Sequence, residues 1–218
     1  MPDSQIKATY VDHMGSDLSV VNAARVSFGK KSQYIEDNLG VWHLDPKDER
    51  LINYLAKHEH YSPFGHCFAS FHIKAPVFVS RQLVKHKFLR INEISRRYVD
   101  DEPEFYHPDE WRSRSDDKKQ GSGEPMDWPH SPYAYPTSLD NYKFLLQMGV
   151  APEQARMVLP QSMMTEWYWS GSLDAFASMC KLRLKSDSQY ESRLVAQQVS
   201  TKMGQLYPVS WEALINAA

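Results

Sequence analysis

The feature that most constrains this chain is an abrupt change from apolar to cationic residues before its midpoint. The run FHIKAPVFVS at 71–80 is apolar and predicts a buried segment, and RQLVKHKFLRINEISRRY at 81–98 follows at once. This second stretch, the basic segment, contains the six cations Arg81, Lys85, Lys87, Arg90, Arg96 and Arg97. Its backbone is expected to be anchored by Phe88, Leu89 and Ile91. The charges therefore begin at the edge of a core, not on a loose basic tail.

The basic segment suits a small, multiply charged anion. The chain has a net charge of -2, so no general excess of positive charge explains the cluster. Groups that can donate or accept hydrogen bonds lie among the cations, at Gln82, His86, Asn92, Glu93 and Ser95. Guanidiniums bind phosphate oxygens, often two at a time, and amides and hydroxyls can select a base. The segment indicates a nucleotide monophosphate, although cations near a helix end are also often simply solvated.

Composition limits the class of protein. A length of 218 residues with 42% hydrophobic residues allows one large domain or two small ones. The charge balance argues against a general nucleic-acid binder, and no run approaches the roughly 18 apolar residues of a membrane span. The start, MPDSQIKATY, has no hydrophobic signal region, and Cys67 and Cys180 form neither a disulfide framework nor a zinc pattern. We expect a cytoplasmic protein with reduced thiols that binds neither membranes nor nucleic-acid polymers.

Hydrophobic spacing predicts strands at 5–11 and 67–74 and a largely helical last third. Helices are predicted over 17–27, 46–57, 76–88, 139–148, 152–158, 173–184 and 189–206. Their expected N-caps are Asp45, Ser172 and Ser188. The first helix is expected to turn inward Val20, Val21, Ala24 and Val26.

Two stretches are predicted to be irregular. Residues 29–44 form a loop, and residues of about 100–137 form a long insertion in a single domain that spans 1–218. The insertion is rich in Pro, Ser, Asp and Gly, but its aromatic residues argue against a fully disordered linker. It can pack on a neighbouring subunit, lie over a site, or have no role in the chemistry.

Six motifs, in order, resemble the flavin-dependent thymidylate synthases. They are MGSDLSVVNAARVSF (14–28), KHEHYSPFGH (57–66), FHIKAPVFVSRQ (71–82), NEISRRY (92–98), QARMVLPQSMMTEWYW (154–169) and KLRLKSDSQYE (181–191). The resemblance implies an α/β (α+β) fold with a central, mainly antiparallel sheet flanked by helices. It also implies a homotetramer with shared active sites. The implied reaction methylates deoxyuridine monophosphate reductively, with methylene-tetrahydrofolate, flavin adenine dinucleotide (FAD) and reduced pyridine nucleotide (NADPH).

The same resemblance supplies the expected nucleotide ligands. They are Gln82, Glu93, Ser95, Arg96, Arg97, Arg156 and Arg183. Arg183 is the expected catalytic residue, because a cation near the N3–C4=O edge of uracil increases the electron density at carbon 5. Arg96 and Arg97 are both open as phosphate ligands. Cys67 and Cys180 read as buried hydrophobes, so no cysteine nucleophile is expected.

The expected cofactor ligands are His60, Ser62, Lys85, His86, Lys87, Glu93 and Ser178. The three histidines His58, His60 and His66 are close in sequence, but no cluster of carboxylates or cysteines accompanies them. We therefore expect no metal site.

Three departures from the family pattern fall mainly on the flavin side. Lys85 and Lys87 stand where the family has arginines, Asp174 where an arginine is common, and Gly65 where a glutamate is usual. Lysine binds phosphate as a point charge without a bidentate fork, and aspartate repels a diphosphate. Two alternatives therefore stay open: a 5-hydroxymethylase of deoxyuridylate or deoxycytidylate with weakened or lost flavin use, and a non-catalytic nucleotide-binding homologue.

Overall fold

The centre of the molecule is a four-stranded antiparallel sheet. The computed structural model describes residues 5–99, 101–115, 121–126 and 135–217. In spatial order the strands are β1 (Lys7–Met14), β4 (Phe68–Pro76), β8 (Met164–Ser172) and β5 (Leu89–Glu93). All three neighbouring pairs run antiparallel. Two short pairs lie apart from this sheet, β2 (Ile35–Glu36) with β3 (Trp42–His43), and β6 (Trp111–Arg112) with β7 (Pro125–Met126).

Helices flank the sheet, which confirms the predicted fold class. They are α1 (Asp17–Arg25), α2 (Pro46–Lys57), α3 (Val77–Leu83), α4 (Tyr135–Gln147), α5 (Pro152–Ala155), α6 (Leu173–Arg183), α7 (Tyr190–Leu206) and α8 (Pro208–Asn216). The predicted start of α2 is confirmed: the Asp45 side chain accepts a hydrogen bond from the Lys47 amide at 2.7 Å. None of the helices among the described residues is both long and apolar enough to cross a membrane.

The core lies on one face of the sheet, because successive side chains of a strand point to opposite sides. Phe71 and Ile73 of β4 and Trp167 and Trp169 of β8 are fully buried on this face. Phe176 of α6 packs against two of them, with its ring 5.4 Å from that of Phe71 and 5.5 Å from that of Trp169. Each such side chain contributes about 1.5–3 kcal/mol on burial, so this contact fixes α6 on the sheet.

The predicted helix over 76–88 is wrong in its second half. Helix α3 ends at Leu83, and strand β5 begins at Leu89. Between them Phe88 adopts a φ of 64° and is 77% exposed, so the prediction that it anchors the backbone is also wrong. Leu89 is buried, and a Cβ on Gly171 of β8 would lie 2.3 Å from its side chain. The glycine thus allows β5 to pair closely with β8.

The predictions for the last third are wrong at three further places. Strand β8 lies in a region predicted to be largely helical, and the sequence predicts no helix after residue 206, where α8 is found. Pro208 is instead the first residue of α8, a position where proline is favoured. The N-cap position of α7 is Gln189, not Ser188. Ser172 does hold the N-cap position of α6, but its side chain makes no capping hydrogen bond.

Three smaller corrections concern residues outside the sheet. Val26 is 70% exposed, because α1 ends at Arg25 and a short 3₁₀ turn follows. The loop at 29–44 contains the β2–β3 pair. In the insertion, the β6–β7 pair is ordered and Phe105 forms a β-bridge with Met163. Residues 100, 116–120 and 127–134 of the insertion lie outside the described residues.

Candidate nucleotide and cofactor site

Arg183, the last residue of α6, is held at two points of its guanidinium. Its Nε donates to Nε2 of His86 at 2.9 Å, and its Nη2 donates to the carbonyl oxygen of Gln82 at 3.2 Å. Partial burial lowers the pKa of Arg183, but arginine stays charged throughout the physiological range. These two bonds use two of its five N–H donors. The other three form no bond to a described residue and are free for a ligand.

His86 accepts the bond from Arg183, so its Nε2 carries no proton. Burial, followed by the charge of Arg183, lowers the pKa of His86 to about 4. The imidazole is therefore neutral at pH 7, and its single proton lies on Nδ1. The sequence led us to expect His86 to contact a cofactor, but its polar partner in the structure is the candidate catalytic arginine.

Gln82 connects this arginine to helix α7. Its amide nitrogen donates to the side-chain oxygen of Gln189, and its own side-chain oxygen accepts from Ser192 at 3.1 Å. Gln189 in turn donates to Glu191 at 3.0 Å. The sequence did not identify Gln189 or Ser192, which lie more than 100 residues from Gln82. Gln189 and Ser192 thus hold Gln82 in place, and the carbonyl of Gln82 orients Arg183.

Glu93 lies at the end of β5 and accepts two hydroxyl hydrogen bonds. One of its oxygens accepts from Thr165 at 2.7 Å and from Ser80 at 3.2 Å. Both donor residues are buried, whereas Glu93 itself is exposed. Hydroxyl groups of α3 and β8 therefore hold the carboxylate in place while Glu93 stays exposed to solvent. A ligand for the sugar or base of a nucleotide must be accessible in this way.

Arg97 and Arg156 meet at one acidic residue. The Arg97 Nε lies 3.4 Å from the carboxylate of Glu153, and the Arg156 Nε donates to the Glu153 carbonyl at 3.2 Å. Ser95 accepts from the Arg97 amide at 3.3 Å, whereas Arg96 donates to the carbonyl of Asp101. Arg97 and Arg156 are exposed, and Arg96 is partly buried. Arg97 is thus the better placed of the two neighbouring arginines to exchange its partner for a phosphate.

A cavity of about 900 Å³ lies beside Arg183. We call it the lysine cavity, because its walls contain Lys85, Lys87, Lys181 and Lys185. The expected cofactor residues His86 and Ser178 also line it, so the structure brings together four of the seven that the sequence suggested. Apolar surface is contributed by Phe88, Leu214 and Ile215. The volume falls within the roughly 300–1,000 Å³ typical of cofactor sites.

Two of the four lysines were missed from the sequence. Lys181 lies in the last turn of α6, and its ammonium donates to the Ala217 carbonyl at 2.6 Å, whereas Lys185 follows two residues after the end of the helix. Their positions two residues before and two residues after Arg183 were the available signal. Asp174, the departure from the family pattern, also lines this cavity. Its Oδ1 is buried and has no hydrogen-bond partner in the part of the chain that the structure describes.

His60 and Ser62 lie at the surface rather than in the cavity wall. The residue between them, Tyr61, does line the cavity, and burial together with the charges of Glu59 and Asp174 raises its pKa. The ring of Tyr54 lies 6.1 Å from that of His60. Within residues 5–99, 101–115, 121–126 and 135–217, no three His, Cys, Asp or Glu side chains are grouped suitably to hold a metal ion.

Both cysteines are buried and unpaired. Burial raises the pKa of the Cys67 thiol to about 12 and that of Cys180 still further from its usual range. Cys67 donates to the Ser16 carbonyl, and Cys180 donates to that of Ala196. A catalytic thiol needs an accessible, electropositive setting, which neither cysteine has.

Comparisons with known proteins show which family the chain belongs to. Residues 9–209 match the family model described as thymidylate synthase complementing protein. The chain is 37% identical to the flavin-dependent thymidylate synthase of Thermus thermophilus over 209 residues, which are 93% of this chain and 73% of the relative. It is 40% identical to that of Kosmotoga olearia over 215 residues, which are 95% of this chain and 89% of the relative.

A solved structure shows the same fold. The UMP/dUMP methylase PolB from Streptomyces cacaoi, solved with 5-Br dUMP, superposes with a TM-score of 0.81 at 32% identity. The match covers 96% of this chain and 94% of PolB, so the two proteins share the architecture described above. The chain belongs to the thymidylate synthase complementing protein family, the flavin-dependent thymidylate synthases, and the resemblance drawn from its motifs is confirmed. These matches do not favour the hydroxymethylase alternative.

Proposed function

We propose that this chain synthesises thymidylate from deoxyuridine monophosphate, with methylene-tetrahydrofolate as the one-carbon donor, FAD as the cofactor and NADPH as the reductant. The observation that carries the proposal is the partly buried guanidinium of Arg183, which His86 and the Gln82 carbonyl fix and whose other three donors bond to none of the described residues. The names of the relatives and the bound pyrimidine nucleotide analogue of PolB support the same substrate class.

The chemistry requires carbon 5 of uracil to become a nucleophile. Carbon 5 is most nucleophilic when the N3–C4=O edge carries negative charge, as in the deprotonated or enolate-like form of the ring. Free N–H groups of Arg183 that face this edge stabilise that charge, as donors do in an oxyanion hole, where one donor contributes about 2.7–4 kcal/mol. The new bond joins carbon 5 to the methylene carbon, the two bonds from that carbon to the folate nitrogens break with their electron pairs left on nitrogen, and carbon 5 loses its proton to solvent. Because both thiols are buried and protonated, no covalent bond to cysteine takes part.

The lysine cavity fits FAD. Its four lysines can neutralise a diphosphate, and Phe88, Leu214 and Ile215 offer apolar surface to a ring system. The unpartnered Oδ1 of Asp174 is an acceptor that a ribose or ribityl hydroxyl can satisfy, since such an atom is costly when left unpaired. When bound, FAD supplies the hydride that reduces the transferred methylene to methyl. The departures at Lys85, Lys87 and Asp174 are therefore compatible with a bound flavin.

The remaining nucleotide ligands complete the proposed site. Gln82 and Glu93 are supported by buried hydroxyls, and Arg97 with Arg156 forms a phosphate-binding pair around Glu153. We further propose that the chain acts as one domain in a homotetramer with shared active sites. Two buried, unpaired thiols suit the reducing cytoplasm.

The test is product identification by mass spectrometry after incubation with deoxyuridine monophosphate, methylene-tetrahydrofolate and NADPH, with and without FAD. The expected result is a product with the mass of thymidylate that forms only when FAD is present. A product with the mass of 5-hydroxymethyl-deoxyuridylate, or no product at all, would overturn the proposal.

A second measurement tests the cofactor cavity by flavin fluorescence titration. Lys85→Glu should weaken FAD binding, because a negative charge then faces the diphosphate. The matched control is Lys47→Glu, an exposed lysine in the first turn of α2. Equal FAD affinities for the two variants would contradict the assignment of the lysine cavity.

A further inference from the structure

We propose that His86 is a positioning residue for Arg183: its neutral imidazole accepts the Nε–H bond of the arginine and so fixes the plane of the catalytic guanidinium. This proposal rests on the proposed function, because it gives Arg183 the pyrimidine-activating role. The expectation that His86 also contacts the cofactor stays a prediction beside it.

Two bonds determine the orientation of the guanidinium. A planar group held only at Nη2 can rotate about that contact, whereas a second bond at Nε fixes the plane as well. The Gln82 carbonyl provides the first contact at 3.2 Å, and His86 Nε2 provides the second at 2.9 Å. The bonds involve one edge of the fork and leave the other edge for a planar ligand. Removing either bond should therefore misplace the free donors without removing the charge.

His86 can accept this bond only as one tautomer of the neutral ring. A proton on Nε2 would oppose the Nε–H of Arg183, and an imidazolium would place two cations in contact. The charged groups that line the cavity around His86 are mostly cations, namely Lys85, Lys87, Lys181 and Lys185, opposed by Asp174. Burial, followed by the charge of Arg183, favours the neutral ring.

The backbone holds His86 in the place where it can serve this role. Its amide donates to the Leu83 carbonyl at 3.1 Å, which closes the turn at the end of α3. The same turn follows Gln82, whose carbonyl is the other anchor of Arg183. One short turn thus supplies both acceptors, and a change in this turn should alter both contacts together.

Substitutions can separate positioning of Arg183 from contact with the cofactor. In His86→Gln the longer side chain can place its carbonyl oxygen near the former Nε2, whereas in His86→Asn the oxygen lies near the former Nδ1. We expect His86→Asn to lower kcat/KM for deoxyuridine monophosphate by about 10- to 100-fold, which corresponds to one hydrogen bond with a charged partner. His86→Gln should recover most of this loss. The control is His43→Asn on the exposed strand β3.

Two binding titrations report the role without turnover. His86→Asn should weaken binding of deoxyuridine monophosphate more than it weakens binding of FAD, because the lost bond orients Arg183, whereas the FAD cavity keeps its four lysines. A His86→Asn variant that loses FAD affinity but keeps that for the nucleotide would overturn the proposal. Equal losses in the Gln and Asn variants would also overturn it.

Nitrogen-15 NMR of the imidazole tests the tautomer in the unaltered protein, so the proposal stays testable even if a variant fails to fold. The expected spectrum shows a proton on Nδ1 and none on Nε2 at pH 7. The opposite tautomer, or a protonated ring, would end the proposal. If the wild-type chain forms no thymidylate while this tautomer and the nucleotide titration are as expected, the proposed function fails and the positioning role stands.

Discussion

Replacing Arg183 by alanine removes the group on which the proposed activation of uracil depends. The variant deletes the charge, both anchoring hydrogen bonds and the three donors that bond to none of the described residues. Alanine is a good helix former, so α6 should keep its backbone conformation. His86 loses its charged partner and remains neutral. The perturbation is therefore confined to the site.

The expected losses of kcat and of folding stability follow from what the guanidinium does in the transition state and in the folded protein. Loss of one preorganised donor in an anion-stabilising site typically reduces kcat by about 10²–10³-fold, or about 2.7–4 kcal/mol. The folded state loses two hydrogen bonds of a charged donor, which are worth about 1.5–3 kcal/mol each when fully buried and less at the partly buried Arg183, and removal of the charge offsets part of that. Against a total stability of about 5–15 kcal/mol, the variant should remain folded. Activity should therefore fall far more than stability.

The assay measures kcat and KM for thymidylate formation beside urea unfolding of Arg183→Ala and Arg183→Lys. Lysine keeps the charge but cannot donate to His86 and to the Gln82 carbonyl from one rigid plane, so its rate should lie between those of alanine and the wild type. Arg50→Ala, at an exposed position of α2, is the control for loss of a positive charge. An Arg183→Ala enzyme with an undiminished kcat would refute the reasoning, as would a covalent adduct between the pyrimidine and a side chain.

Three further predictions concern stability, substrate affinity and reactivity. Asp17→Ala should reduce the free energy of unfolding, measured in urea, by about 2–4 kcal/mol, because the buried carboxylate of Asp17 accepts from two amides at the start of α8. Asp45→Ala, which removes one N-cap hydrogen bond of α2, should reduce it by only about 1 kcal/mol. Glu153→Gln should bind deoxyuridine monophosphate up to about fivefold more tightly by calorimetry, since it frees Arg97 from an exposed ion pair; weaker binding would contradict this. Iodoacetamide at pH 8 should not label Cys67 in the folded protein, because its pKa of about 12 keeps the thiol protonated, but it should label the cysteine in urea.

The sequence could predict elements whose signals are local. The Asp45–Pro46 start of α2 was correct because an N-cap and a first-turn proline act within one turn. Strand β8 was missed although its aromatic residues alternate, with Trp167 and Trp169 inward and Tyr168 outward. Its strand conformation depends on pairing with β4, about 90 residues earlier. Short apolar runs do not reveal such partners.

The site shows the same division between local and non-local information. The motifs supplied Arg183 as a candidate, and the basic segment supplied Gln82 and His86. The contacts that join them link residues about 100 positions apart, so nothing in the spacing indicated that His86 accepts from Arg183. Tertiary packing determines that pairing, because the contact of Phe176 with the sheet holds α6 where Arg183, its last residue, meets the α3 turn.

The exchange of arginine for lysine at positions 85 and 87 becomes understandable once the cavity is assembled. Two more ammonium groups, those of Lys181 and Lys185, line the same space, so its positive charge does not depend on the basic segment alone. A flexible diphosphate can be neutralised by point charges from several directions, whereas the planar edge of uracil needs a rigid fork. The guanidinium fork is retained at Arg183, where the proposed reaction needs planar recognition. The lysines at positions 85 and 87 therefore change how the charge of the cofactor is neutralised, but they do not affect Arg183, the residue that the proposed activation of uracil requires.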